Sequence, residues 1–146
     1  MASEPIVKET IINTPASTVW KALTDIEKIK GWYFAIKEFK AEPGFEFHFF
    51  GGDETCQYYH ACKVLEVKEN EKLVHTWSYP QNFDAISVVT WEIFAQGDNT
   101  MVRLIHNGVE NFGSGSDPNF SRESFDTGWE YIVKKGLKDF LEQSKI

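Results

Sequence analysis

Between Ser121 and Ser144 the apolar residues fall at Phe125, Trp129, Ile132, Val133, Gly136, Leu137, Phe140 and Leu141. Counted from Phe125, the offsets are four, seven, eight, eleven, twelve, fifteen and sixteen, the repeat of a helix with one buried side. Glu130, Lys134, Lys135, Lys138, Asp139 and Glu142 point elsewhere. Nothing between residues 33 and 107 repeats in this way; that stretch reads as strand after strand. A single long helix after a run of antiparallel strands must cover the apolar face of their sheet. Laid across a curved sheet, it can enclose a space, and the sequence puts that space beneath Trp129.

A chain of 146 residues fits one domain, 1–146, able to bury a core without staples. The formal charge of −7 argues against a nucleic-acid backbone or an anionic membrane as the main partner. No apolar run approaches the ~20 residues that span a bilayer. Met1-Ala2-Ser3-Glu4-Pro5 has neither a basic leader nor an apolar core, so no export signal is expected, and the cytoplasm is the default compartment. Cys56 and Cys62 lie along one expected strand, where six residues at ~3.3 Å separate them by roughly 20 Å, too far for a disulfide. They read as buried or half-buried thiols, and no Cys/His spacing suits a metal.

A first strand is expected over Ile6 to Asn13, with Val7 and Ile11 on one face and Lys8 and Thr10 on the other. Thr14 as N-cap and Pro15 at the first helical position start a helix ending near Asp25. A short second helix, Ile26 to Lys30, is closed by Gly31. Strands follow at Phe34–Ala41, Phe45–Phe50, Gln57–Val67, Leu73–Tyr79, Ser87–Ala95 and Thr100–His106. Glu42-Pro43-Gly44, Gly51-Gly52-Asp53, 68–72 and Gln96-Gly97-Asp98-Asn99 supply the reversals. Short connections make sequential neighbours antiparallel, giving an α+β fold with six to seven strands. Asn107 to Asn119 is long and rich in turn formers; it reads as a connector or a lid, with Tyr79 to Asp84 as a second rim.

Leu73-Val74-His75-Thr76-Trp77, Val89-Thr90-Trp91-Glu92-Ile93, the run Thr100 to Val109, Gly128-Trp129 and the run Val19 to Asp25 occur in an informative order. Together they resemble the family of small proteins similar to the C-terminal domain of the activator of the heat-shock protein 90 ATPase. That family lies in the START-like (helix-grip, SRPBCC) superfamily. The resemblance implies a curved antiparallel sheet around a long C-terminal helix, two short helices after strand 1, and often an apolar cavity. Relatives include lipid carriers, hormone receptors and aromatic polyketide cyclases. The activator's name adds a possible stress-response setting, but the resemblance leaves activity open.

Alternation sorts Phe45, Phe47 and Phe49 onto one face, as it does Val89, Trp91 and Ile93, Val102, Leu104 and His106, and His75, Trp77 and Tyr79. Facing Phe125 and Trp129, these sets make an aromatic interior with a few polar tips. The candidate ligand-binding residues are Trp32, Phe47, Phe49, Trp77, Tyr79, Trp91, His106, Phe125 and Trp129, with Trp32 and Tyr33 closing one end. The same aromatics, at ~150–250 Å² each, could instead fill a solid core. Gly128 and Gly136, costly inside a helix, suggest close approach of its backbone to the sheet or to a ligand. His106 could orient a ligand, act as an acid or base, or be structural; Glu66 and Glu92 should face outward. Ser114 and Ser116 have no evident base, and no phosphate loop, GxSxG or HExxH occurs.

Three functions are therefore expected in order. The first is binding of a small apolar or amphipathic molecule, a lipid or an aromatic, between sheet and helix. The second is a chaperone-associated module using the outer surface. The third is a cyclase- or hydrolase-like enzyme relying on His106, Tyr79 and His75. No cofactor, metal, nucleic acid or membrane is called for.

Overall fold

The computed structural model describes residues 5–32, 36, 38–52, 57–81, 85–112 and 122–143. Strand β1 (Ile6–Ile12) leads into helices α1 (Ala16–Thr24) and α2 (Ile26–Trp32). Five strands follow: β2 (Glu46–Gly52), β3 (Gln57–Lys68), β4 (Lys72–Ser78), β5 (Ile86–Gln96) and β6 (Asn99–Asn107). All six form one antiparallel sheet in the order β1-β6-β5-β4-β3-β2. Strands β2 to β6 pair with their sequence neighbours, whereas β1 closes on β6, so the first two strands occupy opposite edges. Helices α1 and α2 lie on the connection between those edges.

The period-two pattern holds where it is cleanest in the sequence. Leu73, His75 and Trp77 are buried on β4, Ser87, Val89, Trp91 and Ile93 on β5, and Thr100, Val102, Leu104 and His106 on β6. A bulge between Val64 and Glu66 on β3 sets Leu65 outward, 46% exposed. Strand β1 buries Ile6 and Ile12 and turns Val7 and Ile11 to the outer face. Its inner face also carries Lys8, whose ammonium lies 2.8 Å from Asp126 and 2.9 Å from Glu130. That pair ties the edge strand to the C-terminal helix. Glu66 and Glu92 sit on the outer face, Glu92 against Arg103 and Glu66 near Lys68 and Lys72.

The C-terminal helix is continuous but not uniform. Helix α3 (Arg122–Tyr131) passes into a π-helical turn (Ile132–Leu137) and then α4 (Lys138–Gln143). Its buried residues are Phe125, Trp129, Val133, Leu137 and Leu141, one every fourth position. In an α-helix of 3.6 residues per turn a strict four-residue repeat drifts by about 40° at each step, so the seam would wind off the sheet. The wider π turn takes up part of that drift and keeps Val133 and Leu137 facing inward. The half-buried Ile132, Gly136 and Phe140 form the flank toward α2.

Several expectations need correction. The cap of α1 is Pro15, with no side-chain hydrogen bond; Thr14 is buried, and its carbonyl accepts from the Thr100 hydroxyl at 2.7 Å. The bond ties the Thr14 backbone to β6, and the first helical residue is Ala16, one position later than the expected start at Pro15. Helix α2 runs through Gly31 to Trp32, because the missing side chain at Gly31 makes room for Phe140: a Cβ there would lie 2.6 Å from its ring. Residues 38–41 form no strand, and 34, 35 and 37 fall outside the described residues. Ile36 and Phe39 instead reach the core at a spacing of three, Phe39 meeting the rings of Phe45 and Phe47 at 6.3 and 5.1 Å. The turn at Glu42-Pro43-Gly44 exists, with Gly44 at φ +94°.

Nor does Gly128 approach anything: a Cβ added there meets no atom within 4 Å. The Gly136 position lies 3.6 Å from the carbonyl oxygen of Trp32, so its close neighbour is α2 rather than the sheet. These differences set opposite mutational outcomes. Gly128→Ala should raise unfolding free energy by about 0.5–1 kcal/mol, read from the urea midpoint, by removing backbone freedom in an open helical position. Gly31→Ala should lower it, and Phe140→Leu in the same chain should recover part of the loss.

Candidate functional site

The sheet register lays the inner residues out in rows. One row crosses Val64, His75, Val89, His106 and Ile6; the next crosses Leu73, Trp91, Leu104 and Lys8; Trp77 faces Ser87 in another. Each row offers polar atoms to an otherwise apolar interior, and two regions form over them.

The first region lies beneath α3 and, among the described residues, is crowded with aromatic rings. Trp129 packs at 5.2 Å from Trp77, 5.9 Å from Trp91 and 5.8 Å from His106, all edge-on. Phe125 adds an edge contact to His106 at 5.4 Å, and Tyr79 meets Phe112 at 5.1 Å. Rings of the described residues thus surround the position nominated for a hollow. Val109 and Phe112, in a short 3-10 turn after β6 (Val109–Phe112), are buried as well. The start of the expected loop is thus an anchor; residues 113–121, with Ser114 and Ser116, lie outside the described residues, as do Tyr33, Cys56 and 82–84. Tyr79 belongs to the core, not to a rim.

A hydrogen-bond chain runs through this region and fixes its protons. The Trp129 indole N–H, a donor only, lies 2.9 Å from Nδ1 of His106, so Nδ1 must be bare. Nε2 then carries the hydrogen and donates to Ser87 Oγ at 2.7 Å, while the Ser87 hydroxyl donates to the Trp77 carbonyl at 2.8 Å. Both nitrogens of His106 are thus hydrogen-bonded, and the two bonds fix its tautomer. Beside it, the Trp77 indole N–H donates to Tyr79 Oη at 2.8 Å. Burial raises the Tyr79 hydroxyl far above its usual range.

The second region is an open-sided cleft between α1, α2 and the sheet. It is lined by Leu23, Ile29, Trp32, Ile36, Phe39, Phe47, Leu73, His75 and Trp91. The space inside, about 20 Å³ for the centre of a water-sized sphere, suffices for one small group. Trp32 stands at its side, half-buried, donating its indole N–H to the Ala22 carbonyl at 2.8 Å and meeting Trp91 edge-on at 5.9 Å. Of the nine residues expected to line a ligand site, Trp32, Phe47 and Trp91 border this cleft. Trp77, Tyr79, His106, Phe125 and Trp129 belong to the packed cluster, with Phe49 beside them, 5.6 Å from Trp77.

Sequence reasoning passed over Ser87, Phe112, Ile36 and Phe39. Ser87 had a signal: it extends the inward series Val89, Trp91, Ile93 by one step. Ile36 and Phe39 had none, because they sit in an irregular segment written as a strand. Cys62 is a buried free thiol whose pKa burial pushes well up, and no group of metal-binding side chains occurs among the described residues.

Three histidines are buried: His60, His75 and His106, while His48 is exposed. Burial pushes His106 down to about 3, with the neighbouring His75 adding to the effect. Burial likewise takes His75 and His60 to about 4, against smaller opposing hydrogen bonds to the Thr76 carbonyl and to the Tyr58 and Phe49 backbone. All three are neutral at pH 7.

A curved antiparallel sheet gripped by a C-terminal helix, with two short helices after the first strand, defines the helix-grip class. Within it, residues 13–142 match the model of the family described as Activator of Hsp90 ATPase homolog 1-like protein, and the chain belongs to that family. Solved structures agree. Protein MLL2253 from Mesorhizobium loti is 26% identical with a TM-score of 0.76, over 97% of this chain and 99% of that one. Protein BH1534 from Bacillus halodurans is 26% identical with a TM-score of 0.75, over 97% and 100%. PFC0360w from Plasmodium falciparum, described as an HSP90 activator, is 18% identical with a TM-score of 0.66, over 90% and 91%. No significant match is found among curated proteins.

Two measurements probe the buried polar groups. The unfolded chain takes up a proton at each histidine near pH 6.5, whereas the native fold resists until about 4 or 3. Stability should therefore fall as pH drops below about 6.5, on the order of 3 kcal/mol per pH unit near pH 5, and level off below the native values. Urea midpoints at pH 7 and 5 measure this. Ser87→Ala leaves the His106 N–H without an acceptor and should cost about 1–3 kcal/mol at pH 7 by the same assay.

Proposed function

We propose that this chain binds a small, largely apolar or amphipathic molecule between its sheet and the helices covering it, at the cleft beside Trp32. One observation carries the reading: among the described residues the cleft is mainly apolar, open to one side, and lined by both helices and sheet, with the His75 imidazole among its walls. Ligand sites have this composition, apolar walls with few placed polar groups. The family and fold support it, since they are consistent with a cavity for a hydrophobic ligand. The reading is of a binder rather than a catalyst: His106, the imidazole expected to do acid–base work, sits under Trp129 and not on the cleft wall.

Size limits what the cleft takes as it stands. One aromatic ring exceeds that space; once admitted, it would bury ~150 Å² and gain about 4 kcal/mol before the cost of association is subtracted. Admitting a ring or anything larger therefore requires Trp32 or Phe39, both half-buried, to swing outward. Native mass spectrometry and tryptophan-fluorescence titration with fatty acids and with one- to three-ring aromatics test the reading, since Trp32 and Trp91 line the cleft. A retained mass and a saturable change in emission are expected, weakened at least about tenfold in Leu73→Phe, which adds bulk to the wall. No retained mass and no saturable change would reject it.

A second reading, a chaperone-associated module, draws on the family description and on Val7, Ile11 and Phe94, exposed by 46%, 52% and 37% on the outer face. Ile11, Met101 and Phe94 stand in register across β1, β6 and β5. Association with a heat-shock protein 90 homologue, lost in Ile11→Glu, would favour it.

A further inference from the structure

We propose that the cleft selects apolar molecules bearing a neutral hydrogen-bond donor, an alcohol or phenol hydroxyl, and that Nε2 of His75 accepts from it. This deepens the ligand-binding reading above and rests on it.

His75 is 3% exposed, and its Nδ1 lies 2.9 Å from the Thr76 carbonyl oxygen. A carbonyl only accepts, so Nδ1 carries the hydrogen and the neutral ring keeps its lone pair on Nε2. Among the described residues no donor meets that atom. Its surroundings are aromatic and aliphatic: Phe47 edge-on at 5.3 Å, Trp77 at 6.4 Å, and Val64 and Val89 in register on either side. His106, two strands away in the same row, has both nitrogens satisfied. Buried acceptors are rarely left unpaired, because each forfeits its hydration without return. Here the unpaired one belongs to a residue that lines the open space.

The chemistry of the missing partner follows from the walls. Among the described residues none that lines the cleft is charged, so against these walls a carboxylate or an ammonium would be desolvated without a counter-charge. A neutral hydroxyl on an apolar body satisfies Nε2 and loses little hydration in entering. The same body without the hydroxyl leaves Nε2 bare, and a site built around a hydrogen bond discriminates against such isosteres.

Phenol and toluene, nearly equal in shape, make the test. Their affinities are measured by isothermal titration for the wild type and for His75→Phe at pH 7. The quantity read is the phenol-to-toluene affinity ratio of the wild type divided by that of the variant, which cancels the difference in ligand hydration. A value of about 3- to 10-fold is expected for one neutral hydrogen bond. A value of one, with both ligands binding, overturns the assignment of His75 and leaves the cleft as a ligand site. Binding of neither overturns both. Should His75→Phe fail to fold, imidazole nitrogen NMR of the wild type decides. Nε2 of His75 should shift on adding phenol and not on adding toluene; an unmoved resonance, or equal shifts with both, refutes the proposal.

Discussion

The Trp129 indole N–H has to find an acceptor in an interior built almost wholly of carbon, and the fold is organised around the one it finds. That acceptor is Nδ1 of His106, on the opposite layer. Because an indole can only donate, the bond dictates the His106 tautomer, the tautomer dictates that Nε2 donates, and Ser87 and the Trp77 carbonyl must stand where they do. One contact thus ties the helix to β6, β5 and β4. Aromatic packing supplies most of the burial, but it would tolerate several rotations of the helix. The hydrogen-bond chain tolerates one, since a misplaced helix would strand an indole N–H and an imidazole together.

The same reasoning separates the two halves of the interior. Under α3 polar atoms are joined donor to acceptor and rings meet edge to face. Between α2 and β4, the row that holds His106 continues to His75, and there the pairing stops short with a lone pair facing apolar walls. A structure that closes one end of a row and leaves the other unsatisfied has a rigid floor and a receptive end. Trp32 marks the boundary: its indole N–H is held by α1 while its ring covers Trp91 and flanks the cleft.

How much of this could be read from residues alone depends on how local each cause is. The face assignments of β4, β5 and β6 are legible because alternation is a property of a few adjacent residues, and so is the grip of the C-terminal helix. Pairing of β1 with β6 joins residues about a hundred positions apart, such as Ile6 with His106, and no short pattern encodes it. Lys8 confuses the pattern of β1, because an inward charge looks like an outward face until Asp126 and Glu130 are placed above it. The open space was sought under Trp129 because a bulky inward residue suggests a roof. Whether a roof covers a hollow is decided by the summed volume of Trp77, Trp91, His106 and Phe125, a quantity that no periodicity reports. The cleft beside Trp32 involves Ile36 and Phe39, whose irregular backbone leaves no periodic trace.

The π turn connects these two kinds of information. Its cause is visible in the sequence as apolar residues at strict intervals of four, Phe125, Trp129, Val133, Leu137 and Leu141, a spacing an α-helix cannot hold to one face for long. Its consequence is spatial: widening at Ile132–Leu137 brings Gly136 to within reach of the Trp32 carbonyl, 3.6 Å from where a side chain would begin. Widening a helix weakens its own hydrogen bonding, and proteins retain such turns where something else gains. The gain here is that the helix meets the sheet along its full length while resting against the end of α2, the element carrying Trp32. The distortion that makes the grip complete is therefore also what sets the wall of the cleft, so binding beside Trp32 and the seating of the helix are mechanically one problem.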